Sequence, residues 1–126
     1  MTDFSSFNPA TASELLKELT KEAGAAAGRP IRNVKEVAAH LRLLARQSVA
    51  TAEALAEGRI DRRTAEIVSA ERKDVLVQVA RFQALMAHVL AQRVADAAFR
   101  VIGWAIFNRT GVNLAPGLVR PEPGAG

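Results

Sequence analysis

The sequence has no cysteine and no tyrosine, only two histidines and a single tryptophan. Without cysteine there can be no disulfide, no thiolate zinc site and no cysteine nucleophile. That usage suits a reducing compartment, and a cytoplasmic location is the expectation. With so few histidines and no tyrosine, general bases and nucleophiles are scarce. There is no phosphate-binding Walker loop, no dinucleotide fingerprint, no paired-histidine zinc motif and no serine elbow. His40 has Glu36 one helical turn before it, the single carboxylate–imidazole pair at contact spacing. His88 has only Ala84, Leu85, Ala91 and Gln92 at helical spacing. Glu71 and Asp74 lie one turn apart but among Arg72, Lys73 and Gln78, with no apolar pocket to raise either pKa. The expectation is a protein that is not an enzyme and takes no metal or cofactor.

Long apolar runs are missing too. The most apolar stretch, Val94 to Phe107, is interrupted by Asp96 and Arg100. It falls short of the about 20 apolar residues that a spanning helix requires. Met1 to Pro9 carries an acid, no base and no apolar core, so no secretory signal is read there.

What the chain does have is alanine in quantity. Hydrophobic residues are 49% of the 126 and aromatics 5%, which suits closely packed helices rather than sheets. The expected fold is all-α: a long antiparallel helical hairpin with an additional N-terminal helix, preceded by an arm over 1–10. Thr11-Ala-Ser-Glu14 has the spacing of a capping box and opens a first helix over 11–27, closed by Gly28 and Pro30. Asn33-x-x-Glu36 opens a second over 33–57. Val34, Val37, Leu41, Leu44, Ala45, Ser48, Ala52 and Leu55 form its inward stripe, and Gly58 ends it. Asp61 caps a third helix, and the short connection implies a hairpin. No breaker follows until Gly103, so the third helix is expected to run over 61–108. Val68, Val75, Phe82 and Val89, with Val79 and Met86, would form a coiled-coil-like seam facing the second helix. Residues 110–126 are rich in Pro and Gly and are expected to be an extended tail, from which Leu114, Leu118 and Val119 could still dock on the helices.

A third helix of that length outruns the second. Residues 86–108 would project by about 30–35 Å at about 1.5 Å per residue. Phe99, Ile102, Trp104, Ile106 and Phe107 would then stand on a surface that needs a second copy of the chain or a protein partner, with Trp104 as its anchor. A lipid surface is the alternative occupant of that apolar end.

The net charge is +4, and five bases against one acid fall between residues 29 and 46. Arg29 precedes the second helix, and Arg32, Lys35, Arg42 and Arg46 fall on one stripe opposite its apolar seam. This stripe reads either as a solvated helix face or as contact with nucleic-acid backbone or an acidic partner, giving affinity without sequence choice. Val34 to Leu43 resembles the start of a helix-turn-helix, but no turn follows before Leu55, so no reader helix is expected. On the third helix the bases alternate with acids, as in the Asp96 and Arg100 pair at i,i+4.

The segment Leu55-Ala-Glu-Gly-Arg-Ile-Asp-Arg-Arg-Thr-Ala65 is similar to hairpin turns in small helical proteins of phages and mobile elements, small terminase subunits among them. The resemblance covers the turn and not the DNA-binding front end of a terminase subunit. It implies a small accessory protein. The reading as a whole is a non-enzymatic, homo-oligomeric assembly or adaptor protein with a basic face open to nucleic acid.

Overall fold

The computed structural model describes residues 4–120, and every regular element among them is helical. They comprise α1 (Ala12–Ala27), α2 (Lys35–Ala56), α3 (Arg62–Gln78) and α4 (His88–Thr110). A 3-10 turn (Ile31–Asn33) precedes α2, and a π turn (Val79–Gln83) ends α3. The helices pack as a bundle.

The caps follow the local chemistry, with one exception. The Glu14 backbone N–H donates to Thr11 Oγ1 at 3.2 Å, and the Glu14 carboxylate reaches back to the N–H of Ala10, one residue earlier than a standard box. Thr64 N–H donates to Asp61 Oδ1 at 2.7 Å, which holds the Asp61 carboxyl below its ordinary pKa. Gly58 takes a left-handed φ of 71°, and Arg59 N–H closes back on Ala54 O in a Schellman motif. The exception is Asn33. Ile31 and Val34 are both buried, and seating both tightens the chain into a 3-10 turn, with Val34 N–H on Ile31 O at 2.8 Å. Helix α2 therefore starts at Lys35 with Val34 as its N-cap, and Asn33 caps nothing.

The inward stripe of α2 is as the spacing predicts: Val34, Val37, Leu41, Leu44, Ala45, Ser48 and Ala52 are buried and Leu55 half-buried. Arg72 on α3 reaches across to α2, donating to Thr51 Oγ1 at 2.8 Å, while Thr51 donates to Gln47 O. That pairing sets the antiparallel register of α2 against α3.

The third helix is not continuous. Ala84 N–H bonds Val79 O and Met86 N–H bonds Ala80 O, spans of five and six residues that turn the chain back on itself. Leu85 sits at the corner with φ +57°, the one non-glycine residue in left-handed backbone among those described. The reversal has a tertiary cause. Helix α4 is apolar on several sides, and left as an extension of α3 it would stand in water. Folded back against α1, α2 and α3 it buries ten residues, worth on the order of 10 kcal/mol or more. Against that stand one left-handed leucine and a few displaced helical bonds, which cost about 1–2 kcal/mol and about 1 kcal/mol each. The expected projection of residues 86–108 is absent for this reason. The expected heptad seam holds only in part: Val79 and Met86 are buried and Val68 half-buried, but Val75, Phe82 and Val89 face outward, and Ala65, Leu76, Val77 and Ala80 face the core. Asp96 pairs with Lys73 of α3 rather than with Arg100, because α3 and α4 now run antiparallel.

The ends of the chain knit together. Asn108 Nδ2 donates to the carbonyls of Phe4 and Phe7, seating the arm on α4. Part of the expected tail is also ordered: Leu114 and Val119 are buried and Asn113 Nδ2 donates to Val119 O. Gly103 makes this docking possible, since a Cβ there would lie 2.5 Å from Val119 Cγ2. Residues 1–3 of the arm and 121–126 of the tail lie outside the described residues.

Candidate functional site

Arg29, Arg32, Lys35, Arg42 and Arg46 are all exposed, and none forms an ion pair with another described residue. Elsewhere other bases are engaged, Arg62 with Glu66, Arg59 with Glu57, Arg109 with Glu53, Lys73 with Asp96 and Arg72 with Thr51, while Lys17, Arg63, Arg100 and Arg120 stand apart from one another along the chain. The local structure explains the placement. Left-handed Gly28 throws Arg29 clear of α1, and the 3-10 turn presents Arg32 outward beside buried Ile31. Lys35, Arg42 and Arg46 then continue along the solvent face of α2. Beside the first of them an open depression of about 550 Å³ is lined by Thr20, Lys21, Gly24, Arg29, Pro30 and Arg32, with no acid in its wall. Gly24 keeps it tight, because a Cβ there would lie 3.2 Å from Arg29 O.

The bundle places further bases on the same side. With α2 antiparallel to α3 and α3 antiparallel to α4, the first turns of α2 lie level with the α3–α4 corner. One half of the molecule, residues 20–46 and 75–95, holds eight bases and two acids. The other described residues hold nine bases and nine acids, so the net positive charge of the described residues resides in that half.

The residues expected to form an association surface are placed differently. Phe99, Ile102 and Ile106 are 3%, 3% and 2% exposed, within the core, because α4 has folded back. Trp104 is half-buried against the core and packs edge-on to Phe107, ring centroids 5.8 Å apart. The most exposed large apolar side chains are instead Phe82, Leu85 and Val89 at the corner, with Ile67, Val75 and Leu43 exposed to a lesser degree on α3 and α2. Sequence spacing assigned Phe82 and Val89 to the interior. No local signal marks the change, since residues 75–95 contain no glycine or proline.

Of the remaining candidates, His40 is half-buried with its pKa lowered by that burial, and no bond joins it to Glu36. His88, Glu71 and Asp74 are exposed. Among the described residues no group of three or more His, Asp or Glu could hold a metal ion, and no helix is long and apolar enough to cross a membrane. The bundle thus falls in the class of small all-helical proteins. Compared with known proteins, the chain matches no family model, no curated protein and no solved structure.

Proposed function

We propose that the protein is a non-enzymatic adaptor whose basic half docks on a surface bearing rows of phosphates. The observation that carries this is the set of five exposed bases, none in an ion pair with another described residue, clustered within residues 29–46 with one acid among them. Exposed guanidinium and ammonium groups recognise what a nucleic-acid backbone and an anionic bilayer share, a repeated phosphate, and they do so without reading sequence. The absence of any bond from Glu36 to His40 supports a binding role over a catalytic one. Phe99, Ile102 and Ile106 are buried in the core and Trp104 and Phe107 half-buried, so this reading rests docking on the basic half.

Titration with inorganic polyphosphate and with duplex DNA at low and moderate salt tests the proposal. If all five bases reach phosphates, affinity for duplex DNA falls by about two to three orders of magnitude between 50 and 200 mM salt. Arg32→Glu with Lys35→Glu and Arg42→Glu abolishes binding without unfolding the protein, as all three side chains are exposed. Salt-independent binding, or binding unchanged in the triple variant, overturns it.

A further inference from the structure

The half that carries the basic stripe also carries the three most exposed large apolar side chains among the described residues. Leu85 is 84% exposed, Phe82 66% and Val89 63%, all within eight residues at the α3–α4 corner. The corner is built to present them. Met86 turns inward and is buried, and Leu85 beside it takes a backbone conformation that glycine would adopt without strain. A glycine would close this turn more easily, so the leucine is there for its side chain. Around the three apolar groups basic charge predominates, with Glu36 in the first turn of α2 the one acid at this level of the bundle. Arg81 lies 4.8 Å over the Phe82 ring, Arg93 is exposed, and no acid occurs from residue 75 to 95. The first turns of α2 add Arg32 and Lys35 at the same level of the bundle.

These two features together select among phosphate surfaces. A nucleic-acid backbone would pair with the bases and leave three apolar side chains in water. A second copy of the chain would bring like charge against like, with only three large apolar side chains where a stable interface buries about 800 Å² per partner. A bilayer of anionic lipid takes both features at once, with phosphates at its surface and hydrocarbon below them. We infer that the α3–α4 corner inserts Phe82, Leu85 and Val89 into the headgroup–acyl boundary of an anionic bilayer, while Arg81, Arg93, Arg32 and Lys35 hold the lipid phosphates. The inference rests on the phosphate-surface reading for its charged contacts and stands apart from it for its apolar ones.

The experiment is co-sedimentation of the full chain with vesicles of phosphatidylcholine alone or mixed with phosphatidylglycerol, run beside the polyphosphate titration. Binding is expected on the mixed vesicles only, weakened by salt. Phe82→Gln with Leu85→Gln is expected to lose at least tenfold in vesicle binding and to keep polyphosphate binding unchanged. Because the chain has no cysteine, Leu85→Cys carries a polarity-sensitive dye uniquely. Its emission should shift to the blue on mixed vesicles, whereas the same dye on Ala56→Cys, at the opposite end of α2, should not respond. Vesicle binding unchanged in the double glutamine variant overturns the inference. So does binding to polyphosphate and duplex DNA with none to vesicles, or a dimer that dissociates in the variant with no lipid bound. Loss of polyphosphate binding alone, with the Leu85→Cys shift intact, overturns the reading of the stripe and leaves the corner standing.

Discussion

The two ends of this bundle are built on opposite terms. At one end the arm, the last turn of α4 and the segment after it close on one another. Phe4 and Val119 are buried, Asn108 satisfies two carbonyls, and Arg109 faces Glu53 at 3.9 Å. At the other end, around the α3–α4 corner, bases stand without partners and large apolar side chains stand in water. The first end holds the fold together, and the second is left open for contact. A molecule of this size has surface enough to close both ends, so the open one is a feature that stability alone does not explain.

The comparison can be broken at its strongest point by truncating one residue at each end. Phe99→Ala, in the core beneath the closed end, should lose about 3–5 kcal/mol in urea unfolding. Leu85→Ala at the corner should stay within about 0.5 kcal/mol of the parent. Equal losses would show that both ends are structural. A narrower probe of the closed end is Gly103→Ala, whose new Cβ must displace Val119. A loss of about 1–3 kcal/mol is expected, with earlier proteolysis within residues 111–120. Asn108→Ala should follow at about 1–3 kcal/mol, since two carbonyls lose their donor, and thermal unfolding measures it.

Smaller effects sharpen the open end. Leu85→Gly exchanges a left-handed leucine for a residue at ease there and should raise the unfolding free energy in urea by up to about 1 kcal/mol, while removing the side chain assigned to lipid. A more stable protein that has lost vesicle binding would separate the two roles cleanly. Last is the pH dependence from His40, beside the basic stripe. Its pKa is lowered in the folded state, so the unfolded chain binds the proton more readily. Stability is full above the unfolded value of 6.5 and declines as pH falls through it towards the folded value. In His40→Gln that decline should flatten, as read from urea midpoints across this range.

Much of the architecture was legible without coordinates, for a physical reason. Thr11, Gly28, Gly58 and Asp61 act within one turn of themselves, so their effects are fixed by local hydrogen bonding and by φ. The inward stripe of α2 was legible because one helix face met one core. The basic stripe was legible because exposed charge needs no partner to be placed. What could not be read was decided between distant residues. Asn33 lost its cap to the packing of Ile31 and Val34. The π turn at Val79–Gln83 carries no glycine or proline to announce it, and local propensity favours helix throughout. Only the gain from seating Phe99, Ile102 and Ile106 against three other helices outweighs the strain at Leu85. That single reversal buried the residues the sequence offered as a contact surface and exposed Phe82 and Val89 in their stead. Local chemistry therefore determined the caps, the helical class and the basic stripe. Which apolar residues meet the core and which meet a partner was settled only when the whole chain folded, because burial is shared among elements and no one of them decides it alone.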